Sequence, residues 1–539
     1  MSAPPLRGTY REDQRARAAY SEGAGIYRIV PRAVALPADQ EDLARLIRWA
    51  RDSGTALVPR GAGSAVTGSS VGEGVVVDLS ALTPRQLNID PAARLAHTSA
   101  NTTLQELEIQ AQAHGLRLPP DPASARWATC GGVFSTDAAG ARSVRYGSIR
   151  RWAMGCGGVT ADGEVFRIEV GEVSGAEPAA FARFAPVGSR IEALRAAIIA
   201  RSSRTRKNTS GYALGAWLAN HDLTQLLAGS EGTLAFITEI TWRLDPIPLV
   251  RLALQVELGS LDQLGPVVEA LLPTGPTACE LLDRTFLDVA RRDPSLAVPE
   301  AEAVLLVEYE GDSNEGVEQQ ADEAERAMAH LGARVTRART QAEAEHLRAL
   351  RHAASPILAT LPESTRSLQV VEDGCVPIGR LADYIALLRR AASSRGIPIV
   401  LFGHAGDGHV HANILPDVTR PDWQDPVASL LEEVTAGLLA LGGTPSGEHG
   451  DGRIRAGMLD RVYGRDVAEL MRATKLAFDP DGILNPGVIL PAGAADPLAQ
   501  LKVGADAAAI PEDIANALRA IERTGGYGTS RLKIADGKR

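Results

Sequence analysis

At 539 residues, with 45% apolar and 23% charged residues, the chain has the length for two or three domains with substantial cores, and no apolar span in it is long enough to cross a bilayer. A net charge of −10 with dispersed basic residues argues against nucleic acid as a partner, and residues 1–11 lack the apolar core of a secretion signal. The four cysteines, Cys130, Cys156, Cys279 and Cys375, are too scattered for a disulfide framework or a Cys-x-x-Cys cluster, so reduced thiols in a cytoplasmic protein are expected.

In chain order, Asp39 is the N-cap of an amphipathic helix predicted over 40–53, and Ala56-Leu57-Val58 reads as a buried strand. A loop of small residues, Pro59 to Ser70, follows, and then a strand-like run, Val75 to Val77. Small residues this dense let backbone amides approach a phosphate, but the loop lacks the Lys-Ser/Thr ending of a P-loop. Val66 also stands where the Rossmann fingerprint needs its third glycine. Taken alone, the loop fits a plain surface turn as well as a phosphate cradle. Beyond a helical segment, 104–114, come a second such stretch, Thr129 to Gly147, and a third, Gly229 to Thr238. Three small-residue loops set against strands suggest one extended ligand carrying a diphosphate. The basic run Arg201 to Lys207 between them reads as a solvated loop.

Pro246 and Pro248 mark a boundary. Beyond it, strands are predicted at 250–256 and 303–309 and helices at 314–331, 341–360, 381–394 and 427–441, an α+β pattern. Between the last two helices, the apolar run Ile397 to Phe402 leads into Gly-His-Ala-Gly-Asp-Gly-His-Val-His at 403–411. This is a strand, a tight turn and a second strand on which His409 and His411 share one face. Gly447-Glu448-His449-Gly450 adds a carboxylate and a further imidazole, and the set has the ligand chemistry of a divalent transition metal with an open position. In Leu350-Arg351-His352-Ala353-Ala354-Ser355 the spacing of four puts Arg351 and Ser355 on one helix face, with a solvated Arg351 equally compatible. The run Phe478 to Gly487 is Phe-Asp-Pro-Asp-Gly-Ile-Leu-Asn-Pro-Gly. The tail from Gly493 shows a short helical pattern at 513–523 and no functional signal.

The three loops resemble the FAD-binding domain of the vanillyl-alcohol oxidase/para-cresol methylhydroxylase superfamily, and the 478–487 run resembles the last signature of the FAD-linked oxidase C-terminal domain. The resemblance implies an α+β protein. A two-lobed PCMH-type FAD-binding domain would span 1–247, an α+β cap (substrate) domain with an antiparallel sheet 248–492, and an extension of unknown role 493–539. It assigns Arg60, Gly61, Ala62, Gly63, Ser64, Gly68 and Ser69 to the FAD diphosphate. Gly131, Gly132, Gly140, Glu231, Gly232, Ile237 and Asn485 would serve the rest of the cofactor. Ala62 and Ser64 replace a glycine and a threonine of the family pattern. Asp137 stands where asparagine is frequent, and its charge should turn it away from a diphosphate. No attachment signature is present, so noncovalent FAD is expected.

The histidine and glutamate stretches resemble the D-lactate, glycolate and D-2-hydroxyglutarate dehydrogenase group. That resemblance assigns His404, His411 and Glu448 to a divalent metal, zinc or manganese, with His409 beside them or as a fourth ligand. It makes His449 the general base and places Arg351 and Ser355 on the substrate. The implied reaction is oxidation of a D-2-hydroxy acid to the 2-oxo acid, with hydride passing to flavin N5 and electrons going on to a quinone, cytochrome or electron-transfer flavoprotein rather than NAD. The stretch 370–377 lacks the lysine that helps hold a second carboxylate in the hydroxyglutarate enzymes, which points to a lactate-like substrate. The competing readings are a non-redox flavin transferase resembling alkylglycerone-phosphate synthase and the flavin subunit of a glycolate-oxidase-like complex. A homodimer, an iron–sulfur partner or peripheral attachment to a membrane is compatible with this resemblance.

Overall fold

The computed structural model describes residues 3–169, 172–202, 204–494 and 496–537, and the backbone alone at 341, 348, 352 and 354–356. Helix Gln40–Ser53 starts where predicted, the Asp39 carboxylate accepting from the Asp42 N–H, and stops at Gly54 in the left-handed region. Its buried residues Leu43, Leu46 and Ile47 pack with Ala33, Ala35, Val75 and Val77 of a four-stranded sheet. The sheet order is Thr9–Arg11, Ala33–Leu36, Val75–Asp78, Leu57–Arg60, and its last three strands are parallel. The small-residue loop at 59–70 leaves the carboxyl end of one of these strands, where parallel sheets open their crevice.

A second, antiparallel sheet has six strands. Phe236–Arg243 returns after a long excursion to lie between Ala153–Val159 and Leu95–Ser99. That return brings the third small-residue loop onto the second: the Gly229 N–H donates to the Phe134 carbonyl at 2.9 Å and the Glu231 N–H to the Ser135 carbonyl at 2.7 Å.

Beyond residue 248 the core is a seven-stranded sheet. Its order is Arg334–Arg337, Val250–Leu258, Ala303–Gly311, Ala278–Asp283, Ile399–His404, His409–Ile414, Gly374–Cys375, with every pairing antiparallel. Helices Leu264–Leu271, Asn314–His330, Leu381–Ser393 and Gln424–Ala440 share one apolar core with it. The helix expected at 341–360 is two, Gln341–His352 and Ala354–Ala359, because Pro356 has no N–H for the carbonyl four residues back. Among the described residues no helix is long and apolar enough to cross a membrane.

The chain then returns to its first half. Helix Arg465–Phe478 packs on Ala179–Ala193, and the Leu57 N–H donates to the Ile483 carbonyl while the Leu57 carbonyl accepts from the Asn485 N–H. The described residues of the tail from 493 lie along both halves. The Lys502 N–H donates to the Ile26 carbonyl, and helix Glu512–Thr524 lies against Gln14–Ala19 and Ala354–Ala359. Arg15 pairs with Asp513 at 2.5 Å, Arg519 with Glu363 at 2.6 Å, and Arg366 with Glu522. Ile514, Leu518 and Ile521 form the buried face of this helix. Leu518→Ala should therefore destabilise the protein by about 2–5 kcal/mol, seen as a lower urea midpoint. An unchanged midpoint would show that the tail is packed without contributing.

Candidate functional site

One cavity of about 680 Å³ runs between the two halves. Gly61, Ala62, Gly63, Ser64, Ser69, Gly131, Gly132, Gly140, Glu231, Gly232 and Ile237 line it on the first side. Gly68 and Asn485 are outside the lining. The Asn485 amide donates to the carbonyls of Ser69 and Glu231, both at 2.8 Å, and so ties the first loop to the third. Arg60 borders the cavity too, and its guanidinium donates to the carbonyls of Glu22, Ser70 and Tyr20, shaping the loop from beneath. Gly232 sits at φ +69°, and a Cβ there would stand 2.2 Å from Pro59, so the third loop can approach the first only through glycine. Asp137 turns away as expected, accepting from the Arg150 N–H at 3.0 Å and Nε at 2.9 Å. The Ser70 hydroxyl, on the cavity wall, is buried with no partner among the described residues. Glycine-lined walls and an unpaired hydroxyl fit a diphosphate-bearing flavin.

Arg351, His404, His411, Glu448 and His449 line the other side of the same cavity. The hairpin Ile399–His404/His409–Ile414 pairs His404 with His409 and Phe402 with His411. Side chains alternate along each strand, so His409 and His411 face the same way. His404 Nε2 is 3.1 Å from Glu448 Oε1, His411 Nε2 is 3.3 Å from that oxygen, and the two Nε2 atoms are 3.4 Å apart. The carboxylate of Glu280 accepts from His404 Nδ1 at 2.6 Å, which leaves Nε2 as a lone pair. With His404 in this neutral form three electron-rich atoms converge, an arrangement that a positive charge between them would stabilise. Donors bound at about 2.0–2.2 Å around one ion stand about 2.9–3.5 Å apart, so the residues fit a divalent metal.

His409 is less simply placed. Its Nε2–H donates to Asp373 at 2.8 Å, while Nδ1 is buried without a partner among the described residues. Burial, with His411 adding to it, lowers its pKa to about 3, so it is neutral. His449 is partly exposed and its Nδ1–H donates to Glu372 at 2.8 Å. Burial disfavours its charge, but the carboxylates of Glu372 and Asp373 outweigh that and push it up to about 10. Arg351 is neither solvated nor free: its Nε donates to Glu280 at 2.6 Å and its guanidinium lies 5.2 Å from the centre of the Phe402 ring. The Ser355 side chain lies outside the described residues.

Sequence reasoning missed Lys207, read as part of a solvated loop. Lys207 is buried, with Nζ 2.7 Å from Glu448 Oε2 and 3.6 Å from Asp407. Burial alone would raise the pKa of Glu448, but Lys207 and His404 hold it well below the usual carboxylate range. Glu280, Asp373 and Arg455 were missed as well. Arg455 Nη2 donates to Glu372 at 2.9 Å, and Asp373 accepts from the N–H groups of Glu448 and His449. A usable signal existed for Glu280 alone, as an acidic residue between apolar neighbours in the strand Ala278–Asp283.

Residues 247–489 match the family described as FAD linked oxidases, C-terminal domain, and residues 31–169 match the FAD binding domain. The chain is similar to D-lactate dehydrogenase of Archaeoglobus fulgidus, 30% identical over 475 residues that cover 86% of this chain and 93% of the relative. It is also 30% identical to D-2-hydroxyglutarate dehydrogenase of Escherichia coli over 88% of this chain, and spans 50% of that longer protein. Among solved structures, p-cresol methylhydroxylase with substrate bound superposes with a TM-score of 0.65 at 16% identity, over 89% of this chain and 94% of the other. The last match establishes the PCMH-type α+β fold.

Glu231 is buried on the flavin side of the cavity, accepting from the Gly452 N–H at 3.0 and 3.1 Å. Burial, with Asp451 adding to it, raises its pKa to about 8. The stability tied to its proton is complete below the unfolded pKa, about 4.3, and is lost as pH rises through about 8, by at most about 1.4 kcal/mol per pH unit. Glu231→Gln cannot ionise, so its thermal midpoint should fall less than the wild type's between about pH 5 and pH 8. Parallel curves would contradict the buried-acid assignment.

Proposed function

This chain belongs to the FAD-linked oxidase family, and from that premise we propose that it oxidises a small D-2-hydroxy monocarboxylate, lactate-like in size, to the 2-oxo acid. The observation that carries the reading is the single cavity shared by the small-residue loops and the cluster of His404, His411 and Glu448. Bound FAD, held noncovalently, supplies the hydride acceptor, and a divalent ion, zinc or manganese, on those three residues supplies Lewis acidity toward the hydroxyl and offsets the carboxylates around His449.

The chain's own residues divide the remaining work. Arg351, fixed through Nε by Glu280, binds the substrate carboxylate. His449 takes the hydroxyl proton at Nε2, because Glu372 occupies Nδ1 and fixes the tautomer. Leu306, Val307, Leu347 and Phe402 on the cavity wall exclude water from the reacting carbon. Of the other arginines of the wall, Arg142 and Arg251 are paired with Asp121 and Glu310 and Arg60 donates to main-chain carbonyls, which favours a substrate with one carboxylate. The sequence carries no dinucleotide fingerprint, so electrons pass to a quinone, cytochrome or electron-transfer flavoprotein.

Anaerobic mixing with D- and L-hydroxy acids tests this reading. D-Lactate should bleach the flavin, with L-lactate and D-2-hydroxyglutarate much slower. Arg351→Ala should raise KM for D-lactate about ten- to a hundredfold, the loss of a charge-assisted contact of about 1.5–3 kcal/mol. Flavin that stays oxidised with every hydroxy acid would refute the reading.

A further inference from the structure

Glu280 is buried at the centre of the seven-stranded sheet, its Cα directly opposite that of His404 on the neighbouring strand. Its two carboxylate oxygens go to different partners. Oε1 accepts from His404 Nδ1 and Oε2 from Arg351 Nε, each at 2.6 Å. Because both oxygens belong to one rigid planar group, neither contact can shift without disturbing the other. Phe402 makes a second bridge of the same kind, its ring lying under the Arg351 guanidinium and 5.3 Å from the ring of His411, its cross-strand partner. The residue that binds the substrate carboxylate in the reading above and two of the three converging donors are therefore held by one pair of side chains.

We propose that Glu280 is a positioning residue that locks the substrate-carboxylate arginine Arg351 to the metal-ligand histidine His404, so that the two ends of a 2-hydroxy acid are gripped at a fixed spacing. This inference rests on the proposed function. A 2-hydroxy acid carries its carboxylate and hydroxyl on adjacent carbons, and one carboxylate shared behind both contacts would couple the two sites energetically. Removing the negative charge at 280 frees the tautomer of His404, weakening the metal, and releases Arg351, weakening the carboxylate. A carboxylate behind a ligating histidine typically contributes 10- to 100-fold in metal affinity. If Glu280 merely neutralised buried charge, a substitution would alter folding without linking the two affinities.

The test uses intact flavin-loaded protein stripped by a chelator. It is titrated with Zn²⁺ alone and then, at saturating Zn²⁺, with pyruvate followed by perturbation of the flavin absorbance, so that no turnover is required. Glu280→Gln should weaken zinc about 10- to 100-fold and pyruvate about tenfold. Arg351→Lys should weaken pyruvate while leaving zinc within about twofold. In the double variant the pyruvate loss should not exceed the larger single loss, since coupled residues are non-additive. Glu280→Asp keeps the charge but is too short to span both partners, so it should retain at most one of the two affinities and serves equally if the glutamine variant loses its flavin. Wild-type zinc affinity in Glu280→Gln, pyruvate losses that multiply, or both affinities kept by Glu280→Asp would overturn the bridge alone. A wild-type protein that takes up no zinc would overturn the proposed function and the bridge with it.

Discussion

The carboxylate of Glu448 is where the two halves of the molecule meet chemically. Its Oε2 belongs to the first half, accepting from the Gly140 N–H at 2.9 Å and from Lys207 at 2.7 Å. Its Oε1 belongs to the second, facing His404 and His411. Gly140 also lines the flavin side of the cavity, so a single carboxylate registers the small-residue loops against the histidine hairpin. A buried charge is tolerated only with full compensation, and removing one partner of such a pair costs about 3–5 kcal/mol. The division also leaves one oxygen of Glu448 for a ligand role, because the other is already saturated.

The rest of the site follows from the need to balance buried charge. Glu280, Glu372, Asp373 and Asp407 are all buried close to Glu448. Arg351, Arg455 and Lys207 answer them. Backbone N–H groups of residues 448 and 449 complete the shell of Asp373. Against this background His404 Nε2, His411 Nε2 and Glu448 Oε1 converge. A divalent ion held there, as proposed, would add the positive charge and Lewis acidity that the reaction needs.

Much of this was legible in the sequence where local rules govern. Asp39 and Gly54 bracket their helix because capping is decided within a few residues. The hairpin at 399–414 was readable because β-branched residues ran up to glycines and then alternated. The choice of His404 over His409 was another matter, resting on resemblance. The structure shows why spacing could not decide it: His409 Nε2 is committed to Asp373, a residue 36 positions away in the chain. Lys207 was misread for the same reason. Its neighbours in sequence are basic and polar, and only the fold brings Glu448, 241 positions away, within 2.7 Å. Glu280 and Asp373 likewise acquire their partners through sheet pairing and a loop crossing that no local pattern records. The tail gave a correct helix and no hint that it bridges both halves, because its ion pairs join it to Arg15, Glu363 and Arg366.

Elemental analysis of dialysed protein against its flavin content tests whether His404, His411 and Glu448 form one metal site beside the flavin. About one divalent ion per FAD is expected in the wild type. Glu448→Ala should lose the ion and retain FAD, since the loops that line the flavin side are held by Asn485 and by one another. A wild type free of divalent metal, or a Glu448→Ala protein that keeps its metal, would contradict that assignment.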